Sequence, residues 1–191
     1  MSPDTLPPHA ADRRPWTPDQ TALWRRIEAH PFEATDQADD LTRRLARDKD
    51  WPLDFARGAV AEYRRFGFLC RIADAPMTPS EEVDEVWHLH LLYTRDYWGT
   101  WCGEALGAPL HHDPTRGGTQ QAAYFLARYA ATLAAYERWF GPPPETYWPG
   151  ARERFRRRPR YRGLDADRAA MLPRFWSPRF WRIALSRRFE R

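Results

Sequence analysis

The stretch EEVDEVWHLHLLY, residues 81–93, sets Asp84 four residues before His88 and places His90 two residues further on. A carboxylate and an imidazole at i, i+4 meet on one face of a helix. Such a pair can chelate a divalent cation, or the carboxylate can orient the imidazole as a general base. Asp84 and His88 are therefore the candidate catalytic pair. Two ligands alone hold no metal, and LHHDP, residues 110–114, offers more. Four of the six histidines fall between residues 88 and 112. The candidate metal ligands are Asp84, His88, His90 and His112, with Trp87, Tyr97, His111 and Asp113 as the surrounding binding residues. Imidazole and carboxylate donors suit Zn, Fe, Mn or Cu, and a divalent Zn or Fe ion is the expected cofactor. An open coordination position would allow hydrolysis by a metal-activated water.

Helix geometry tests this set. Each residue turns ~100°, so positions two apart diverge by about 200°. On a continuous helix His88 and His90 face nearly opposite ways. His90 joins Val83, Val86, Trp87, Thr94, Tyr97 and Trp101 on the apolar stripe, as a ligand if the helix distorts and as a buried orienter if it does not. His88 shares the other side with Asp84, Arg95 and Cys102. Cys102 lies fourteen residues on, roughly 20 Å along a straight helix, too far for a Cys–His dyad unless the helix breaks. Phosphate-binding glycine loops, H-E-x-x-H and G-x-S-x-G are absent. The plain alternative stays open: a hydrogen-bonded core histidine, a surface Asp–His pair and a capped loop.

The elements that must hold these residues read as helices separated by proline. Thr17 caps a helix that opens on Pro18, carries Leu23, Trp24 and Ile27, and stops at Pro31. A short charged helix follows with Leu41 and Leu45. The next sets Phe55, Ala59, Tyr63 and Phe66 on one face, with Gly67 as an expected break. Thr78, Pro79 and Glu81 have the pattern of a capping box, opening the histidine helix, which is expected to run to about Ala105. GAPLHHDPTRGGT is a loop. Phe125, Tyr129, Leu133, Tyr136 and Phe140 then recur at helical spacing up to Gly141, and PPPETYWPG is an extended connection. No convincing strand alternation occurs. The expected fold is all-α, a single compact bundle of about five helices over residues 17–150. A proline-rich N-terminal arm, residues 1–16, and a basic aromatic C-terminal segment, residues 151–191, would flank it.

Around this motif the chain resembles the glycine-rich domain-containing protein-like family, in its bacterial branch. The shared pattern is VDEVWHLHLL and a following tyrosine, with Asp84, Trp87, His88, His90, Leu92 and Tyr97, then His112 and Asp113. TLAAYERWFGPPPETYWP also resembles that branch, and the likeness spans roughly residues 50–150. It implies that Asp84, Trp87, His88 and His90 form the centre of whatever the domain does. The glycine-rich region behind the family's name is absent, since only Gly117–Gly118 are adjacent among ten glycines. RNA binding therefore does not transfer with the name.

Bulk composition narrows the remaining classes. The 191 residues favour one compact domain. Ten Trp, ten Phe and eight Tyr exclude a disordered chain. No apolar run reaches membrane-spanning length, the N-terminus lacks the apolar core of a signal peptide, and two cysteines form no disulfide framework. A cytoplasmic protein with reduced thiols is expected. Net charge is +4, but residues 151–191 hold fourteen arginines against four acids. RERFRRRPRYRG alternates arginine with aromatic residues, and Phe180, Trp181, Ala184, Leu185 and Phe189 would share one helix face. The alternative to a metal or catalytic centre is thus an interaction or scaffold protein. Residues 152–191 would then meet a protein partner or an anionic membrane surface, or, less favoured, nucleic acid. In the simplest case that segment only packs its aromatics on the domain.

Overall fold

A computed structural model describes residues 15–33, 40–113 and 119–156. Nearly all of the N-terminal arm and residues 157–191 of the basic segment lie outside the described residues, as do the partner surfaces expected there. Among the described residues the chain is helical without strands: α1 (Pro18–Ala29), α2 (Leu41–Lys49), α3 (Leu53–Ile72), α4 (Glu81–Leu92), a π-helix (Asp96–Leu106), α5 (Thr119–Phe140) and α6 (Ala151–Arg156). The all-α expectation holds.

Helix starts follow local chemistry. Thr17 caps α1 by accepting from the Gln20 N–H at 3.2 Å, while the Gln20 side chain accepts from the Thr17 N–H at 2.9 Å. Asp40 caps α2 through the Arg43 N–H at 2.8 Å. The cap of α4 is Ser80, which accepts from the Val83 N–H at 3.2 Å, not Thr78. The Thr78 N–H instead donates to Thr132 Oγ1 of α5 at 2.9 Å. Gly141 ends α5 in the left-handed region, at φ 86°, which a residue without Cβ adopts at little cost.

The hub is α3 rather than the histidine helix. It touches α1, α2, α4, α5 and the π-helix, and Ala56, Ala59, Val60, Tyr63, Phe66, Phe68 and Leu69 are buried around it. A broad apolar face of this kind belongs against a core, while Asp54, Arg57 and Arg71 keep the other side of α3 at the surface. Gly67 does not break α3. It is where Trp101 of the π-helix closes in, and a Cβ there would stand 2.8 Å from Trp101 Cζ2.

The histidine helix does not run unbroken to Ala105. It ends at Leu92, and Tyr93 turns at φ −87°, ψ 58°. The chain then rewinds into the wider π-helix, whose buried residues Tyr97, Trp101, Cys102, Ala105 and Leu106 recur at intervals of four to five. Its last carbonyls accept from arginines of neighbouring helices, Ala105 O from Arg26 Nε at 3.3 Å and Leu106 O from Arg71 Nε at 3.0 Å. Thr94, expected on the apolar stripe, is exposed because the break turns it outward.

A polar network centred on Glu62 lies within the aromatic core. Glu62 of α3 accepts from the Tyr136 hydroxyl at 2.7 Å and from Trp148 Nε1 at 2.9 Å, and it pairs with Arg65. It ties α5 and the PPPETYWPG connection to the hub.

Candidate functional site

Helix α4 carries two side-chain clusters, one on each side. On the outer side Asp84 Oδ1 lies 2.9 Å from His112 Nε2, and Asp84 Oδ2 lies 3.9 Å from His88 Nδ1. The two imidazole rings are 4.6 Å apart. The Asp84–His88 pair follows from i, i+4 spacing on an intact stretch of helix. His112 arrives from the loop after the π-helix, and a short relay fixes that loop. Trp87 Nε1–H donates to the Tyr97 hydroxyl at 2.7 Å, and Tyr97 in turn donates to the Leu110 carbonyl. The Trp87 ring then meets His112 edge-on, with centroids 4.4 Å apart. Trp87 thus walls the cluster, while Tyr97 stands behind it and positions the loop. His88 is half-exposed, with 49% of its side chain open to solvent, so one side of the cluster faces water.

His111 and Asp113 are exposed. The His111 ring lies 5.5 Å from that of Trp98 and is not among the donors that converge. Asp84, His88 and His112 each offer a ligand atom, all within 4.8 Å of one another. This is a set of two imidazoles and one carboxylate, a combination that first-row transition ions accept.

His90 is not part of that set. It is fully buried on the inner side, as the near-opposite facing of alternate helical residues requires. Its Nδ1 lies 3.2 Å from the Tyr63 hydroxyl and its Nε2 lies 2.8 Å from Asp96 Oδ2. Asp96 as a carboxylate can only accept, so Nε2 carries the proton and Tyr63 O–H donates to Nδ1. His30, the residue that ends α1, brings its Nε2 to 3.3 Å from the same Asp96 oxygen. Phe32, Tyr63 and Trp101 surround the two imidazoles, with centroids between 4.5 and 5.9 Å away.

Burial lowers the pKa of both His30 and His90, and Asp96 only partly offsets it. For Asp96 burial acts upward, but the bonds from His90 and Thr100 and the nearby His30 outweigh it and bring the carboxyl down to about 2. The cluster is therefore two neutral imidazoles around one ionised carboxylate at neutral pH.

His30 and Asp96 were not legible as site residues. His30 lies sixty positions before His90. Asp96 would face away from His90 on a straight helix, six residues being about 600° of rotation, and reaches it only through the break at Tyr93. The nearest signal was His90 itself, the polar member of an apolar stripe. Cys102, on the far side of the same break, is buried, and burial raises its thiol.

Residues 39–123 match the model of the UCP032817-like family, an uncharacterised family. No curated protein matches the chain, and no solved structure does. The matched segment holds both halves of the α4 arrangement, from Asp84 through Asp96 to His112, while His30 lies before it. The match reaches the level of an uncharacterised family and does not extend to the glycine-rich name or the bacterial branch.

Proposed function

We propose that the protein binds a divalent transition-metal ion through Asp84, His88 and His112, and that this ion activates a water molecule on its solvent side. The observation that carries this reading is the approach of His112 to Asp84 at 2.9 Å across 28 positions of sequence, with His88 beside both. Ligands at i, i+4 on one helix plus one from a separately anchored loop give three donors and leave further positions free. That pattern of three protein ligands and an open position is characteristic of catalytic ions. Bound water would become acidic enough to supply hydroxide near neutral pH. Trp87 would keep His112 in place by packing edge-on against its ring.

Cobalt(II) titration of chelator-treated protein tests this reading. The parent chain is expected to develop visible ligand-field absorption on binding the ion at imidazole and carboxylate donors. His112→Gln should lose the band from this centre. An unchanged spectrum in His112→Gln would remove the loop from the centre and overturn the reading.

A further inference from the structure

We infer that His30, His90 and Asp96 form a second, buried site for a divalent transition-metal ion, clamping the end of α1 to α4 and the π-helix. His90 Nε2 and His30 Nε2 approach one carboxylate oxygen, at 2.8 and 3.3 Å. The three donor atoms lie within 4.8 Å of one another. Donors that share an ion at about 2.0–2.2 Å each stand roughly 3–3.5 Å apart, so only small shifts would seat one.

A second observation points to a ligand. The His30 side chain is 3% exposed, yet its Nε2 makes no hydrogen bond. It stands 3.3 Å from Asp96 Oδ2, which already takes the His90 proton. A buried polar atom left without a hydrogen bond is costly to the fold. An ion between His30, His90 and Asp96 would give this nitrogen a partner and turn three crowded donors into a ligand set.

The surrounding groups complete the role. With an ion on Nε2, the proton of His90 sits on Nδ1 and donates to the Tyr63 hydroxyl, so the same contact serves as the outer hydrogen bond that ligating histidines make. Thr100 Oγ1 donates to the other oxygen of Asp96 and holds the carboxylate in register. Phe32 and Trp101 keep bulk water from the inner side. Asp96 has 37% of its side chain exposed, which leaves a path for the ion and an open position on that side. Two imidazoles with a carboxylate suit Zn, Fe, Mn or Co and disfavour Mg or Ca.

The test uses the full chain, freed of metal with chelator, and zinc as the probe. Asp84→Ala/His88→Ala removes the outer centre. That variant is expected to retain one equivalent of zinc, and adding His30→Gln or Asp96→Asn should abolish it. Because those inner changes can weaken folding, the unsubstituted chain supplies the second measurement. Imidazole 15N NMR should show zinc moving the Nε2 resonances of both His30 and His90, with the His90 proton appearing on Nδ1. No zinc retained by Asp84→Ala/His88→Ala, or unmoved His30 and His90 resonances in zinc-loaded parent protein, would overturn the inner site. Parent protein that binds one equivalent, kept in Asp84→Ala/His88→Ala and lost with His30→Gln, would instead support the inner site and remove the outer one.

Discussion

His88 and His90 stand two residues apart on α4 and belong to different clusters: His88 faces Asp84 and His112 at the surface, and His90 is buried between Tyr63 and Asp96. Replacing each should therefore have different consequences. In metal-free protein His88→Ala is expected to change stability by no more than about 0.5 kcal/mol, the usual range for an exposed substitution. His90→Ala leaves the buried Tyr63 hydroxyl without its partner, removes one donor from the partly exposed Asp96, and should cost about 2–4 kcal/mol. Urea unfolding followed by far-UV circular dichroism measures both. Equal losses would contradict the division of the two faces.

Gly67 is a packing position. Alanine is the better helix former by about 1 kcal/mol, so Gly67→Ala would stabilise an open helix. A Cβ at 2.8 Å from Trp101 Cζ2 forces that ring to move, and overpacking typically costs about 1–3 kcal/mol. A fall in melting temperature is expected, with altered Trp fluorescence. A rise would show that Trp101 does not lie against α3.

Glu62 holds three elements through one carboxylate. Glu62→Leu would strip Tyr136, Trp148 and Arg65 of their common acceptor. Breaking a buried charge pair from one side costs about 3–5 kcal/mol, and that loss is expected in equilibrium unfolding. Glu62→Gln keeps the shape and should cost less. The order Leu worse than Gln is the outcome that checks the network.

The two cysteines should be slow to react. Burial raises the thiol of Cys70, and burial likewise raises that of Cys102. A raised thiol holds less thiolate at pH 8, and the thiolate is the nucleophile. Iodoacetamide at pH 8 is expected to label neither residue until denaturant is added, as intact-mass spectrometry would show. Rapid labelling of Cys102 in folded protein would contradict its placement against Tyr97 and Leu110.

Much of this arrangement was legible from local pattern. Thr17 with Pro18 announces α1, and Tyr129, Tyr136 and Phe140 mark the inner face of α5. The i, i+4 spacing of Asp84 and His88 marks the outer cluster, and simple rotation separates His90 from it. What stayed hidden depends on backbone departures and distant neighbours. A break at Tyr93 and a wider helix after it have no marker in GTW or YTRDY, yet they bring Asp96 back to His90. Gly67 reads equally well as a helix breaker or as room for a neighbour, and only Trp101 decides between them. His30 closes α1 and meets His90 through tertiary packing alone. Trp148, within a proline-rich connection, gives no local sign that it donates into the core at Glu62.

Metal content by mass spectrometry, on protein purified without tag or chelator, tests the α4 centre in the parent chain and in Asp84→Ala and His88→Ala. Each variant is expected to keep its helicity and to hold one equivalent of Zn or Fe fewer than the parent. Variants that carry as much metal as the parent would contradict the α4 centre. So would a parent chain that contains none and takes up none when Zn or Fe is supplied.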